Sequence, residues 1–179
     1  MNTRRIVTGH NAQGKSVFLS DGAAPRYEEF KHVPGLSAAL LWETPADPSV
    51  PNTRPDPTPK AAWVPAPGGT NAMVVTFPTD SVMASPTFDP MAAGGEYMQR
   101  LPGLAGTFEM DAPGMHTTDT VDYAVVLDGE VVLELDDGQR KTLRKHDCVI
   151  QNGTRHAWRN QGSAPVTLLF VLISATRAR

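Results

Sequence analysis

The sequence predicts an all-β protein, a sandwich or a barrel, and three observations support this prediction. Glycine and proline are frequent, at 15 and 16 of 179 residues, and the chain shows no long apolar repeat at the helical period. Short apolar or alternating runs instead recur between turn-forming residues. Hydrophobic residues make up 40% of the chain, which is enough to build the core of one domain or of two small ones.

The first half of the chain contains four predicted strands. Two of them, 4–8 and 16–19, flank the turn-forming sequence NAQGK at 11–15, and further strands are predicted at 36–44 and 72–77. No helix is available there to cover a sheet edge. We therefore expect the first two strands to extend the barrel sheet or to pair across a dimer.

Two segments of the first half look irregular. Residues 45–67 contain eight prolines in 23 positions, which indicates a surface loop or an arm that wraps over a partner subunit. Residues 81–106 contain one or two predicted helical turns at 91–100, weakened by Gly94 and Gly95. This second segment is expected to be either an ordinary surface loop or a lid.

The second half of the chain has a dense strand pattern. Asp137-Gly138 predicts a two-residue hairpin turn with positive φ at both positions. We therefore divide the chain into an N-terminal part, 1–106, that packs on a β core, 107–179. The strands predicted in this core are 107–110, 121–127, 130–135, 139–143, 148–151, 156–159 and 166–173.

Charge and composition exclude several classes of protein. Lys and Arg number 16 against 19 Asp and Glu, for a net charge of −3, and no basic run predicts a nucleic-acid groove or an anionic membrane surface. The longest apolar stretch, 166–175, is about half of what a bilayer needs. The first 11 residues lack the apolar stretch of a signal peptide. With Cys148 as the single cysteine, no internal disulfide or cysteine-based zinc site is expected, and we predict a cytoplasmic protein.

Two segments place histidine at a recognisable spacing. In the first, His116 is followed by Thr118, by Asp122 and, after six intervening residues, by Gly129. The second contains Asp147, Gly153, His156 and Asn160. By these two motifs, and by the strands between them, the stretch from about 107 to 173 resembles the cupin superfamily. The resemblance implies a β-barrel of the jelly-roll type.

The resemblance also implies a metal site, although four positions depart from the family pattern. Two are in the second motif, where His146 stands in place of the usual glycine and Asn152 where proline is frequent, and two are in the first. Thr118 stands where the first motif usually has its second histidine, and Asp122 replaces glutamate. The remaining set of His116, Asp122 and His156 is a recognised ligand group for a divalent metal, with Fe, Zn, Mn and Ni all open. Cupins that have lost ligands can instead be metal-free, and this alternative stays open.

A substrate pocket is expected beside these ligands. Side chains alternate along a strand, so His116 and Thr118 are expected on one face, and Trp158 shares the face of His156. Met110 lies on the strand predicted to lead into the first motif. We therefore predict that Thr118, Trp158 and Met110 line the pocket.

The resemblance to cupins implies two kinds of function. The first is a small metal-dependent enzyme acting on an oxygenated small organic molecule, of the dioxygenase, decarboxylase, isomerase or lyase type. The second is a metal-free cupin that binds a small-molecule ligand without catalysis. Because cupins commonly dimerise by packing sheets, the resemblance also implies a homodimer.

Overall fold

The computed structural model describes residues 3–52 and 54–178, and they form eleven strands and one α-helix. The predicted all-β class is confirmed, with the helix as the exception. The strands are β1 (Arg4–His10), β2 (Ser16–Ala23), β3 (Arg26–Glu29), β4 (Ser37–Thr44), β5 (Thr70–Phe77), β6 (Thr120–Asp128), β7 (Glu130–Glu134), β8 (Arg140–Arg144), β9 (Cys148–Asn152), β10 (Ala157–Arg159) and β11 (Val166–Ser174), and the helix is α1 (Pro90–Arg100).

The strands form three antiparallel sheets, which is the layered arrangement of a jelly roll. The largest has the order β3-β4-β5-β11-β6-β9, and the second has the order β10-β7-β8. Strands β1 and β2 pair only with each other among the described strands. The two larger sheets are not joined by strand pairing into a closed barrel, but one apolar core connects them.

The core forms because one side of each strand is apolar. Strand β11 alternates between buried and half-buried residues along its length, as a period of two requires. Its buried Leu168 lies opposite Val126 of β6. Val131 of β7 joins the same cluster from the three-stranded sheet, and Leu40 of β4 joins it from the six-stranded sheet. The six-stranded sheet thus draws strands from both halves of the chain around one core.

Helix α1 is longer than the one or two turns predicted from the sequence. Asp89 caps its start by accepting hydrogen bonds from the Met91 and Ala92 amides, both at 3.0 Å. In its middle, buried Glu96 accepts hydrogen bonds from the Lys31 and His32 amides at 2.9 and 2.8 Å. These tertiary contacts stabilise a helix whose two internal glycines weaken its intrinsic propensity.

Two strand predictions need correction, and one strand was missed. Residues 107–110 do not form a strand, because a 3-10 turn, Ala105–Thr107, is followed only by an isolated bridge between Phe108 and His116. Strand β3 (Arg26–Glu29) was not predicted. The two N-terminal strands are confirmed, but they form a sheet of their own rather than extending a larger one. Their pairing across a dimer stays a prediction.

The proline-rich segment contacts the body of the protein at defined points. Its described residues form no strand, and a short 3-10 turn, Thr58–Lys60, buries Thr58 completely. The Arg5 guanidinium donates to the Thr58 hydroxyl at 3.1 Å and forms an ion pair with Asp56. Trp63 is fully buried, and its indole N–H donates to the Arg100 carbonyl at 2.8 Å. The segment is therefore anchored to the core and to β1.

The predicted Asp137-Gly138 turn is confirmed. Both residues have positive φ, 55° and 68°, as a type I′ turn requires. The Gln139 amide donates to the Asp136 carbonyl at 3.2 Å and closes the turn between β7 and β8. No helix among the described residues has both the length and the apolar character needed to cross a membrane.

Candidate functional site

The two motif histidines lie side by side. The backbone amide of each donates to the carbonyl of the other at 3.0 Å, which forms an isolated antiparallel bridge between His116 and His156. Their ring centroids are 4.2 Å apart. Forty residues separate the two histidines in sequence, so the bridge between the motif segments is what brings the imidazoles together.

Both imidazoles are oriented by backbone carbonyls. His116 Nδ1 lies 3.1 Å from the Gly114 carbonyl, and His156 Nδ1 lies 2.9 Å from the Thr154 carbonyl. Because a carbonyl only accepts hydrogen bonds, we assign the proton of each neutral ring to Nδ1. The lone pair of each Nε2 is then free for another partner.

Burial keeps the two rings neutral. Burial, together with the smaller effect of the neighbouring His156, lowers the pKa of His116 to about 4. Burial also lowers the pKa of His156. Neutral imidazole is the form that binds metal ions and that accepts protons from a substrate.

Asp122 lies on the core-facing side of β6, between Leu172 of β11 and Gln151 of β9. Its residue surface is only 6% exposed, and Oδ1 has no hydrogen-bond partner. Burial raises the pKa of this carboxyl group to about 6, although a hydrogen bond from Thr120 acts in the opposite direction. An unpartnered buried carboxylate oxygen is costly, which indicates that it has a role beyond packing.

Two threonine hydroxyls extend this polar region. Buried Thr118 lies with its Oγ1 2.7 Å from Oγ1 of buried Thr120. Thr120 in turn lies two residues before Asp122 on β6, on the same side of the sheet. The sequence analysis identified Thr118 but missed Thr120, although its parity with Asp122 along the strand was a usable signal.

Aromatic rings enclose the imidazole pair. The ring of Phe108 lies 4.7 Å from that of His116, and Trp158 meets His156 edge to face at 5.8 Å. Tyr97 of α1 contacts Phe108 at 5.9 Å. Trp158 is therefore next to His156 as predicted, and the helix contributes a ring to the surroundings of the site that the sequence did not reveal.

Met110 is not part of this region, and its assignment to the pocket is wrong. Its surface is 91% exposed. The reason is that residues 109–115 turn back on themselves, with the Glu109 amide donating to the Met115 carbonyl at 2.9 Å. Phe108, two residues earlier, takes the position beside His116 instead.

Ion pairs on the outside hold the segment that carries His116. Arg155 donates to both carboxylate oxygens of Glu109, at 2.8 and 2.7 Å. Arg159 pairs with Glu134 at 2.6 Å and donates to the Pro113 carbonyl at 2.7 Å. Arg155 precedes the second motif histidine and Arg159 follows it by three residues, and both direct their charges into these pairs.

The imidazole and carboxylate groups of this region are of the kinds that bind a divalent metal, but among the described residues no three such side chains are grouped around one point. Two free imidazole nitrogens and an unpartnered carboxylate oxygen are ligands that Fe, Zn and Mn accept. Within residues 3–52 and 54–178, however, no three His, Cys, Asp or Glu side chains are grouped so that they could hold one ion. The structure thus joins His116 to His156 and leaves Asp122 outside that group. The three-ligand site stays a prediction.

Two surface clefts lie elsewhere. One, of about 340 Å³, is lined mainly by residues 31–34 and 82–89, and the other, of about 300 Å³, is lined by residues of the β7–β8 hairpin. Neither is lined by a motif histidine. Their positions do not bear on the chemistry of the imidazole pair.

Comparisons with known proteins match part of the sequence to a cupin domain and most of it to fungal proteins. Residues 106–172 match the family model described as a cupin domain. The chain is 30% identical over 173 residues to phomopsin biosynthesis cluster protein C' of Diaporthe leptostromiformis, covering 96% of this chain and 78% of that protein. It is 25% identical over 174 residues to the cupin-domain-containing oxidoreductase virC of Hypocrea virens, covering 96% and 75%. Among solved structures, the cupin domain of Cnp3 from Schizosaccharomyces pombe superposes with a TM-score of 0.46 at 11% identity, covering 97% of this chain and 89% of that one.

Proposed function

Because the chain belongs to the cupin superfamily, we propose that it is an enzyme acting on an oxygenated small organic molecule. We further propose that His116, His156 and Asp122 hold a divalent metal, with Fe, Zn, Mn and Ni as the candidates. Relatives named cupin-domain-containing oxidoreductases, virC among them, support an enzymatic role. The comparisons leave the reaction type open between dioxygenase, decarboxylase, isomerase and lyase.

The imidazole pair is the observation that carries this proposal. His116 and His156 are held 4.2 Å apart between ring centroids, each with Nδ1 on a carbonyl and Nε2 free. Metal-binding histidines characteristically use the second ring nitrogen in this way, since the hydrogen bond orients the ring and sets its tautomer. Asp122 adds a carboxylate oxygen that has no partner within the protein.

The residues around the pair have separate tasks in this proposal. A divalent cation held by these residues would supply a Lewis acid for a substrate oxygen. The buried Thr118 hydroxyl, 2.7 Å from that of Thr120, is proposed to donate to, or accept from, such an oxygen. Phe108 and Trp158 enclose the imidazoles with apolar surface, which excludes water and favours an apolar substrate body.

The second candidate is a metal-free cupin that binds a small molecule. The absence of a three-residue metal group among the described residues favours it. In that case the same polar groups bind the ligand directly. The two imidazoles accept hydrogen bonds through Nε2, and Thr118 and Asp122 provide the remaining polar contacts.

Metal content separates the two candidates. The wild-type protein is expressed with added Fe, Zn, Mn or Ni and analysed beside His116→Ala, His156→Ala and Asp122→Asn. We expect about one metal equivalent in the wild type and loss of most of it in each histidine variant, since two protein ligands bind a metal weakly. His10→Ala is the matched control, because His10 is exposed on β1.

The outcomes are distinct. Equal metal content in the wild type and the double variant His116→Ala/His156→Ala would contradict the metal proposal and leave the metal-free candidate. Loss of metal in the histidine variants but not in Asp122→Asn would restrict the ligand set to the imidazole pair. Circular dichroism of each variant checks that the fold is retained.

A further inference from the structure

The larger of the two surface clefts, of about 340 Å³, lies beside the start of α1. One wall comes from the segment 31–34, between β3 and β4, and the other from the segment 82–89, which leads into α1. We call it the α1 cleft. Its volume is at the lower end of the ~300–1,000 Å³ that small-molecule sites occupy. The proposed function uses none of the residues that line it.

The first wall of the α1 cleft is fixed by a buried carboxylate. Glu96, only 8% exposed, accepts hydrogen bonds from the Lys31 and His32 amides at 2.9 and 2.8 Å. On either side of these two residues, Phe30 and Val33 are buried in the core. The Lys31 and His32 side chains are exposed and therefore extend from a backbone that is held in place.

The second wall is anchored as well, although it contains no regular element before α1. At its start, Asp80 and buried Asn160 exchange hydrogen bonds, with the Asp80 amide on the Asn160 carbonyl at 2.8 Å and the Asn160 amide on the Asp80 carboxylate at 2.9 Å. Further along, the Phe88 amide donates to the Ser85 carbonyl at 3.0 Å. Because both walls are held by such contacts, a ligand need not order them on binding.

The α1 cleft combines an apolar floor with polar groups at its edge. Val82 and Phe88 are half-buried and pack against the core cluster. The hydroxyl oxygens of Ser85 and Thr87 lie 2.9 Å apart. Since one of these hydroxyls donates to the other, the accepting hydroxyl still has its own O–H to donate to a ligand.

The charges of the cleft are balanced unequally. Asp89 lines the cleft, but its carboxylate accepts hydrogen bonds from the Met91 and Ala92 amides, both at 3.0 Å, where the dipole of α1 stabilises a negative charge. Within residues 3–52 and 54–178, no carboxylate lies within ion-pair distance of the Lys31 ammonium group. The positive charge of the cleft is therefore the one that lacks a partner.

We propose that the α1 cleft binds a small organic monocarboxylate that has an apolar body. The ligand carboxylate accepts hydrogen bonds from the Lys31 ammonium group and from a ring N–H of His32. A carboxylate only accepts hydrogen bonds, and those it forms with a cation are among the stronger ones in proteins. The apolar body of the ligand packs on Val82 and Phe88, which removes apolar surface from water on both sides.

The acidic groups around the cleft favour a monoanion over a phosphate. A phosphate monoester carries about −1.5 to −2 charges at pH 7. The carboxylate of Asp89 lines the cleft, and that of Glu96 lies behind the first wall. These two groups repel a dianion more strongly than a ligand with a single negative charge. The apolar floor further favours a ligand with hydrocarbon beyond its acid group.

Titration of the ¹⁵N-labelled protein with benzoate, followed by two-dimensional NMR, tests the proposal. We expect saturable shifts of the amide signals of residues 31–34 and 82–89. Benzamide has nearly the same shape but no charge, and it should bind at least about tenfold more weakly, because it cannot form the charge-assisted hydrogen bonds. Acetate, which lacks the apolar body, and inorganic phosphate should also bind more weakly than benzoate.

Variants of the first wall locate the binding group. Lys31→Met should weaken benzoate binding at least about tenfold, and His32→Ala should weaken it to a smaller extent. Both side chains are exposed, so neither substitution removes packing from the core. Lys15→Met is the matched control, because Lys15 is an exposed lysine at the turn between β1 and β2, and it should bind benzoate as the wild type does.

The titrations are carried out in chelator, and the double variant His116→Ala/His156→Ala should bind benzoate normally. Failure of this site and failure of the metal site are therefore distinguishable. The proposal is overturned if benzoate produces no saturable shift of residues 31–34 and 82–89, or if benzamide or phosphate binds as tightly as benzoate. Unchanged binding in Lys31→Met would overturn it as well. Equal binding of acetate and benzoate would contradict the role of the apolar floor.

Discussion

The inner side of the six-stranded sheet has an apolar end and a polar end, and the same strands supply both. At the apolar end, one row across the sheet consists of Met73, Phe170, Ala124 and Val149. The next row consists of Asn71, Leu172, Asp122 and Gln151. A shift of two residues along each strand thus changes a packed core into a buried polar region.

The two ends differ in how completely their atoms are satisfied. Residues of the apolar end pack on one another and on the second sheet. At the polar end, Oδ1 of Asn71 and Oδ1 of Asp122 are both buried without a hydrogen-bond partner. Unpartnered buried oxygens reduce stability, so the comparison indicates that the apolar end contributes more to stability than the polar end, where the proposed site lies.

The largest expected effect is at the apolar end. Leu168 is fully buried opposite Val126. Leu168→Ala removes packed methyl groups and leaves a cavity, so the free energy of unfolding should fall by about 2–5 kcal/mol. Chemical denaturation measures this loss. Leu19→Ala on the exposed hairpin is the control and should change stability far less; equal losses would show that Leu168 is not part of the main core.

The imidazole pair should make the protein sensitive to acid. The pKa of His116 is lowered to about 4, whereas an unfolded histidine titrates near 6.5, so the unfolded state binds more protons between these values. Stability should therefore fall as the pH drops from about 6.5 to 4, by roughly 2–3 kcal/mol for this residue. Thermal unfolding in chelator, with His116→Phe as the comparison, measures it. An unchanged pH dependence in His116→Phe would contradict the assignment.

Asp122 should produce the opposite pH dependence. Its pKa is raised from 3.8 to about 6, so the folded state binds the proton more tightly and stability falls as the pH rises from about 4 to 6. Asp122→Asn removes the ionisable group and with it this loss of stability. The variant should therefore be more stable than the metal-free wild type at pH 8, by on the order of 2 kcal/mol. Denaturation in chelator tests this, with exposed Asp119→Asn as control. A destabilised Asp122→Asn would show that the carboxylate has a favourable partner in the metal-free fold.

The smallest effect is expected in the turn between β7 and β8, far from both ends of the inner side. Gly138 has a φ of 68°, and a Cβ added there would meet no atom within 4 Å. Gly138→Val should therefore act through backbone strain alone, with a loss of roughly 1 kcal/mol or more. Gly138→Asn should lose less, because asparagine tolerates this conformation. Thermal unfolding of the two variants compares them, and equal stabilities would contradict the strain argument.

The comparison of the two ends also shows which site residues were accessible from sequence. Asp122 and His156 were identified because a resemblance to the cupin motifs marks their positions. Thr120 was missed although it shares a side of β6 with Asp122. Met110 was misassigned because residues 107–110 resemble a strand locally, whereas the segment turns at 109–115 and leaves Phe108 beside His116.

Local pattern was sufficient for the elements whose formation depends on nearby residues. The apolar run of β11 and the Asp137-Gly138 turn are properties of adjacent residues, and both were predicted close to their observed bounds. Helix α1 was underestimated because its stabilising contacts, such as Glu96 on the Lys31 and His32 amides, come from a distant segment.

What local pattern could not provide is the relation between residues that are distant in the chain. The approach of His116 to His156 and the unpartnered oxygen of Asp122 both depend on which strands pair and in which register. Register is set by packing over the whole core, since a slip of one residue would reverse the two sides of a strand. The motifs therefore identified the residues, and the long-range pairing of strands set which of them meet.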